Sequence, residues 1–587
     1  MKSARSSALS SQQAPIELYS NDSCSWMMTD SPHDDFSIPM VYEGRKMRYV
    51  YDDYIEGGAL RSGKSPELFS RSYAGLLAQY AAVGFIDGVL PNVIYPYLQS
   101  YLNLPGEQTA TALMLVQMPW SFKVFCGIIS DCFPIWGYRR RPYILFGWIF
   151  ALCMLVALSF TPESGPYFTN SKYRDVKPVD YTPEIIATIN YDAANQGGKH
   201  IVLMMGCTFG YLMSDVCADG IVVEVAQREP YEVRGNTQTV IYTTRTAFNL
   251  LAYVLLGLSF NGADYGGNFD FSLSFPMLML IVTIMLAPIV PITWYFLYEE
   301  KSSLAMDFRQ YIRTLWNVIK TRAVYQYIAY HFFSGIFASF TYMSKNPIMS
   351  NWVKVSPMQE KVGGLLSTGM YATSIYFAGN YGRSWDWRRT AVGTMVCFVA
   401  LDVFVKLLTI WDIIRSPYFW LGIATLEQIP LGVNFIVSSF IIVELATEGH
   451  EGAMYGLLTT VHNLAIPFAT TITRNVDSFF HTSTEQIQND TTGVRNEITA
   501  SVVVMWTINL CSLGFLAMLP RQKEETRAMK KLGGSSHIMG VVTVGYLASA
   551  LFWTTTTSLL SLFPSTSCLV IAGGNGCSNH IVDLHDS

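Results

Sequence analysis

Residues 273–298 read LSFPMLMLIVTIMLAPIVPITWYFLY, with no acidic or basic side chain. A helix rises 1.5 Å per residue, so about 20 apolar residues reach across the hydrocarbon core of a bilayer. A buried helix in a soluble protein explains one such run. It does not explain a series, and similar runs precede this one at about 74–97, 109–130, 142–160, 199–223 and 237–260. Others follow at about 324–346, 361–381, 389–411, 417–445, 453–474 and 498–519. The expectation is an all-α integral membrane protein of about twelve spans. A last apolar stretch at 538–563 is interrupted by Thr554-Thr555-Thr556-Thr557. It reads either as an additional C-terminal hydrophobic helix that spans, or as a re-entrant or interfacial one.

Composition agrees. Of 587 residues, 50% are hydrophobic and 14% charged, where soluble domains carry about a quarter charged. A net charge of −5 gives no case for a nucleic-acid partner. The ten cysteines are scattered, mostly inside apolar runs, and fit no zinc or redox spacing. No metal or cofactor is expected. Only Cys568 and Cys577 fall where pairing in an oxidising compartment is open to them. Residues 1–70 contain no apolar segment of a signal peptide, and Asp34, Asp35, Glu43, Asp52, Asp53 and Glu56 argue against an organelle transit peptide. This segment reads as a disordered cytoplasmic tail, too polar to support a core.

Basic residues in short loops mark the cytoplasmic side. Arg139, Arg140 and Arg141 lie between spans two and three, and Arg228 and Arg234 between four and five. Arg309, Arg313, Lys320 and Arg322 lie between six and seven, and Arg383, Arg388 and Arg389 between eight and nine. Arg521, Lys523, Arg527, Lys530 and Lys531 follow span twelve. All these loops fall on one side, which puts the N-terminus in the cytoplasm. The opposite loops, 161–198 and 475–497, are longer and less basic, and the second holds the glycosylation acceptor Asn489-Asp490-Thr491. With no organelle signal, the plasma membrane is the default.

The basic, amphipathic segment 299–323 divides the spans six and six. It separates an N-terminal bundle, 71–298, from a C-terminal one, 324–519, with 520–587 as a basic segment, extra helix and tail. The halves echo each other. Gly137-Tyr138-Arg139-Arg140 resembles Asp386-Trp387-Arg388-Arg389, and Val223-Glu224-Val225-Ala226 resembles Val443-Glu444-Leu445-Ala446. The offsets are 249 and 220, and the 29-residue difference matches the extra length of the loop between spans three and four. Two parallel six-helix halves joined by a cytoplasmic linker describe the 6+6 architecture of the major facilitator superfamily. There, substrate binds near mid-membrane and the halves rock around it. This architecture works as a monomer.

A charge near the centre of a span costs on the order of 3 kcal/mol. Lys123 in span two, Asp215 and Asp219 in span four and Arg245 in span five lie at similar depth, and Asp87 is near the middle of span one. Two cations and two anions at one depth can neutralise each other across the bundle. Gln238, Tyr242, Arg245 and Asn249 form one stripe on span five, expected to face a cavity because lipid cannot satisfy such groups. Two readings stay open for Lys123, Asp219 and Arg245: substrate or proton chemistry, or locking of the helices. For Glu224, Arg228 and the arginine triplet, at the membrane edge, a structural or gating role is favoured. Asp402 and Lys406 read as a self-neutralising pair, and His462 and Asn463 as ligand-binding or simply buried. Trp120, Tyr95 and Tyr97 read as anchors or packing.

Two blocks carry a family resemblance. The first is Pro119-Trp120-Ser121-Phe122-Lys123, Gly127-Ile128-Ile129-Ser130-Asp131 and Gly137-Tyr138-Arg139-Arg140-Arg141-Pro142-Tyr143. The second is Asp215-Val216-Cys217-Ala218-Asp219-Gly220, Val223-Glu224, Ala226-Gln227-Arg228-Glu229-Pro230, Arg234-Gly235, Thr237-Gln238-Thr239 and Arg245. Together they resemble the folate–biopterin transporter family over about 70–520. The resemblance implies import of folates, pteridines or related compounds, often with protons, although relatives also carry S-adenosylmethionine. It also implies gating by the loop from Asp131 to Arg141 and by Arg234. Here five residues separate Asp131 from Gly137, a departure from the general superfamily motif.

On this reading Lys123 and Arg245 attract the carboxylates of a folate, Arg245 in bidentate fashion. Asp215 or Asp219 takes up a proton, and Gln238, Tyr242 and Asn249 meet the pteridine. The expected partners are therefore a folate- or pteridine-class solute, protons and the lipid bilayer. The alternatives are the same fold with another cargo (S-adenosylmethionine, a sugar or an amino acid, a cation being drawn to Asp87, Asp215 and Asp219), or a non-transporting receptor. An enzyme is not expected: no zinc, nucleophile-elbow or phosphate-loop motif is present in a plausible context.

Overall fold

The computed structural model describes residues 40–43, 46–49, 56–104, 106–173, 176, 181–193, 196–265, 267, 269–301, 308–480, 482, 484–560, 566 and 569. Cys568 and Cys577 lie outside them. The chain forms two compact units, residues 1–54 and 55–587. In the first, an antiparallel hairpin pairs Met40–Glu43 with Lys46–Tyr49.

The second unit is helical. Its six leading long helices are α1 (Arg71–Tyr101), α2 (Thr111–Cys132), α3 (Arg141–Phe160), α4 (Gly197–Gln227), α5 (Asn236–Ser259) and α6 (Phe275–Phe296). Six more follow: α7 (Arg322–Ala338), α8 (Pro357–Tyr381), α9 (Trp387–Ile410), α10 (Pro417–Leu445), α11 (Glu451–Asp477) and α12 (Thr492–Met518). The stretch left open in the sequence forms a further helix, α13 (His537–Leu560). Among the described residues, nine helices are long and apolar enough to cross a membrane, α13 included. The four that fall short, α5, α7, α8 and α11, are the shortest or most polar.

Local chemistry sets the boundaries. Proline at the first turn starts α3, α6, α8 and α10. Side-chain caps from Ser274, Ser356, Asp386 and Thr491 satisfy the first amides of α6, α8, α9 and α12. One boundary departs from expectation. The run 324–346 stops being helical after Ala338, because Asn509 donates to the carbonyls of Phe337 (2.9 Å) and Phe340 (3.0 Å). The carbonyls that would continue the helix are taken by α12.

Each half has its own core. One cluster draws on residues from Leu68 to Leu297. A second runs from Tyr311 to Ala550, joined by Cys132, Val223 and Tyr242 from the first half. Between the halves α5 packs on α8, and α2 on α11. Exchanging each helix for its counterpart six places on turns one contact into the other, which is the two-fold relation expected of parallel repeats. The α2–α11 crossing is very close: a Cβ on Gly127 would stand 2.4 Å from the Gly452 carbonyl oxygen. The linker contributes the helix Phe308–Ile319, which buries Tyr311, Leu315 and Ile319 on one face.

A correction concerns the N-terminal segment. Residues 56–70, expected to belong to a disordered tail, are ordered against the arginine-rich end of the bundle. Gly57 and Gly58 take left-handed backbone (φ 69° and 70°), open to glycine without strain. The Gly57 carbonyl accepts from the Tyr231 amide at 2.8 Å, and the Gln227 carbonyl accepts from the amides of Leu60 (2.9 Å) and Arg61 (3.1 Å). The strap adheres mainly through main-chain groups and one arginine, with Leu68 buried in the core of the first half. A hydrophobicity argument does not register such contacts.

Candidate functional site: a charged cavity and an ion-paired gate

Inside the first half, Lys123 reaches from α2 to two carboxylates one turn apart on α4. Its Nζ lies 2.8 Å from Asp215 and 2.6 Å from Asp219. Asp219 also accepts from the Tyr80 hydroxyl of α1 at 2.5 Å. On α5, Arg245 lies 3.6 Å from Asp215 and 3.2 Å from Asp87. Five charges from four helices thus form one chain, Asp219–Lys123–Asp215–Arg245–Asp87. The indole of Trp120 lies beneath both cations, 5.2 Å from Lys123 Nζ and 5.4 Å from the Arg245 guanidinium. Three carboxylates face two cations, so the fully ionised cluster carries one excess negative charge.

Exposure divides the chain in two. The side chains of Lys123, Asp215 and Asp219 are at most 5% exposed, whereas Arg245 is 19% and Asp87 28% exposed. The inner three are sealed and the outer two open onto a cavity. That cavity, about 450 Å³, is walled by Asp87, Arg245, Met114, Gln117, Met118, Trp120 and Ser121 of the first half. Asn463, Ile466, Pro467 and Thr470 of α11 and Thr554 and Thr557 of α13 complete it. Its size is in the range of roughly 300–1,000 Å³ that suits drug-sized ligands. Pro119 and Pro467 interrupt the two flanking helices; α2 tightens to a 3-10 turn over Met118–Phe122.

The expected polar stripe is only partly realised. Among the described residues, Arg245 is its one member lining the cavity. Gln238 is fully buried, with neither side-chain polar atom hydrogen-bonded among them. Tyr242 packs edge-on against Phe435 (4.8 Å) and Tyr80 (6.3 Å). Asn249 abuts Gly88 of α1. The reason is that α5 is wedged between α1, α8 and α10, so most of its polar face meets protein. Lys123 is likewise sealed from the cavity. Composition favoured packing for Trp120, yet it forms the cavity floor. Asn463 lines the cavity; its neighbour His462 is not among the lining residues. Asp402 and Lys406 form the expected buried pair (2.6 Å), with the Trp506 indole donating to Asp402.

The arginine-rich end is closed. Asp131, ending α2, lies 2.7 Å from Arg140 and 3.2 Å from Arg139, and accepts from the Tyr311 hydroxyl at 3.0 Å and the Ala453 amide at 2.9 Å. Glu451, opening α11, meets Arg140 at 3.1 Å and Arg61 at 3.0 Å. Glu444 of α10 meets Arg234 at 2.8 Å and Arg527 at 3.2 Å. Arg234 also donates to the Gly58 carbonyl. Glu224 pairs with Arg228 (3.1 Å) and lies 3.7 Å from Arg61. Arg141 stands apart from these pairs: its guanidinium covers the Trp294 ring at 4.8 Å. Glu299 accepts from the amides of Arg139, Arg140 and Arg141, closing the N-terminus of α3. Lys523 donates to the Arg234 carbonyl at 2.7 Å, and burial pushes its ammonium down to about 8. At the opposite end Asn489 is exposed, and Thr491 of the same triplet caps α12. Hydrogen bonds from Arg495 and Arg415 hold the neighbouring Asp490 carboxyl well below the usual range.

Comparison with known proteins bears on what such a site serves. Residues 84–169 match the model of the BT1 family. The chain is similar to Folate transporter 1 of Plasmodium falciparum, 19% identical over 464 residues, 78% of this chain and 81% of that protein. It is also similar to the Folate-biopterin transporter of Synechocystis sp., 19% identical over 396 residues, 65% of this chain and 71% of that one. Among solved structures, the D-xylose-proton symporter superposes with a TM-score of 0.50 at 12% identity, over 77% of this chain and 99% of that one. That likeness speaks for the fold alone.

Proposed function

We propose that this chain, a multi-pass membrane transporter with the major facilitator fold and a resemblance to the folate–biopterin transporters, carries folate- or pteridine-class anions by alternating access, coupled to protons. One observation carries the reading. Arg245 borders a ligand-sized cavity and is held there by Asp87, a carboxylate that shares the cavity. A substrate carboxylate competes with Asp87 for the same guanidinium, where bidentate pairing is strong. An anion without its cation is costly in an apolar site, and a proton on Asp87 removes that cost. Proton and anion therefore enter together.

The similarity to named folate and folate-biopterin transporters supports the cargo class. Basic loops support a cytoplasmic arginine-rich end, and the plasma membrane is the site proposed. With that end locked by ion pairs, the conformer described is closed to the cytoplasm.

The test is uptake of labelled folic acid by folate-transport-deficient cells expressing the chain, with and without a protonophore. We expect saturable uptake that collapses with the proton gradient. Arg245→Ala is expected to abolish it while surface expression persists. Equal uptake by that variant removes the role of Arg245, and no uptake by native protein at the surface removes the cargo.

A further inference from the structure

The twelve-helix architecture needs no thirteenth helix, yet α13 reaches the cavity. It runs along the second half, with Tyr546 against Phe332 (5.0 Å) and Trp553 stacked on Phe468 of α11 (5.7 Å). Near its end it packs against α2. It therefore covers the seam between α2 and α11, the two helices through which the halves meet on this side. One face carries Ile538, Val541 and Phe552, each more than half exposed, as suits a lipid-facing surface. The other face presents Thr554 and Thr557, one turn apart, to the cavity that Asp87 and Arg245 border.

Thr554 is 6% exposed, and among the described residues its hydroxyl has no hydrogen-bond partner. Leaving a buried hydroxyl unsatisfied costs about 1–3 kcal/mol. A helix whose task was to seal the seam would do better with valine, which has the same shape. The Thr554 hydroxyl can both donate and accept, and that of Thr557, which donates to the Thr554 carbonyl at 3.1 Å, can still accept; together they give the cavity a neutral wall that complements its ionic wall of Asp87 and Arg245.

We propose that α13 is part of the substrate site. Thr554 and Thr557 bind the uncharged, hydrogen-bonding part of the ligand, a planar heterocycle edge bearing N–H and C=O groups, while Arg245 takes the anionic part. The cargo in this statement rests on the function proposed above; the placement of α13 in the cavity wall does not.

The experiment has two arms on the full-length chain. In the first, Thr554→Cys and, as an exposed control, Phe479→Cys are treated from outside with a charged, membrane-impermeant methanethiosulfonate, and modification is read at each position by peptide mass. Cys at 554 is expected to react and to be protected by saturating folic acid. A control that reacts beside an inert position 554 overturns the assignment of α13 to the cavity. In the second, the T554V/T557V pair is assayed for folic acid uptake. Loss of two neutral hydrogen bonds should raise KM about tenfold, with kcat and surface amount unchanged. An unchanged KM overturns the ligand contact. Failure of native uptake with position 554 still reactive would sink the cargo and leave the wall standing.

Discussion

Arg245 is shared by two carboxylates that differ in access. Asp215 is sealed on one side of it, and Asp87 opens to the cavity on the other. The sealed one keeps the guanidinium in place, and the open one is exchangeable. Asp87→Asn removes the exchangeable charge and leaves an isosteric amide. Folic acid uptake by this variant should persist, with a KM no worse than native, but lose its sensitivity to a protonophore. Uptake that still collapses with the gradient would move the proton site elsewhere. Lys123 differs from Arg245 although both are cations at one depth. Its removal leaves Asp219 with no cation and Asp215 with Arg245 alone, and breaking a buried pair costs about 3–5 kcal/mol. The charges themselves were legible in the sequence, because nothing masks a charge in an apolar run. Which of them met the cavity was not legible, since depth along a helix says little about the face that a neighbour covers.

At the scale of elements, α2 and α11 depend on Gly127, Gly452 and Gly456, where their backbones nearly touch. Gly452→Leu starts a side chain 2.5 Å from the Arg140 guanidinium and 3.0 Å from the Asp131 carboxylate, and should part the two helices at the arginine-rich end. The expected result is a thermal midpoint lower by several degrees, with the Asp131–Arg140–Glu451 contacts opened. Thiol reactivity of Cys132, buried beside Asp131, is the readout, and an inert Cys132 would refute it. Helix positions followed from apolar runs, mostly to within about four residues, although α12 begins six residues before the run at 498. The shortened α7 did not: residues 339–346 are more polar than the run before them, with Ser339, Thr341, Ser344, Lys345 and Asn346, but the carbonyls at the break are taken by Asn509 some 170 positions away, which no local pattern shows. The four threonines of α13 looked like a dilution of apolar character; that two of them, Thr554 and Thr557, line a cavity wall needed the position of α2 to be seen.

The whole molecule is held shut at one end by residues from both halves and from the strap. Arg61 alone reaches Glu224 of the first half and Glu448 and Glu451 of the second. Arg61→Ala should therefore weaken the closed end without touching the cavity. We expect kcat for folic acid to change by severalfold, KM to move less, and single-molecule distances across that end to show a larger open population. Identical distance distributions would dismiss the strap as a latch. The two-half plan was readable in advance from the paired arginines, before α3 and at the start of α9, and from the repeated Val-Glu motif of α4 and α10. The strap was not, because most of its attachments are carbonyls and amides that every residue owns, and the ion pairs of Arg61 join residues far apart in the chain.

That strap is stitched to both halves at once, through Gln227 and Glu224 on one side and Glu451 on the other. On the alternating-access function proposed above, halves that rock apart at this end cannot both keep hold of it, so each turnover would tear one row of stitches and remake it. The chain upstream is continuous with the strap. Tension on that leader, from a tether, a bound partner or a fused tag, adds work to one half of the cycle and relieves it in the other. The carrier would then feel a pull as well as a concentration.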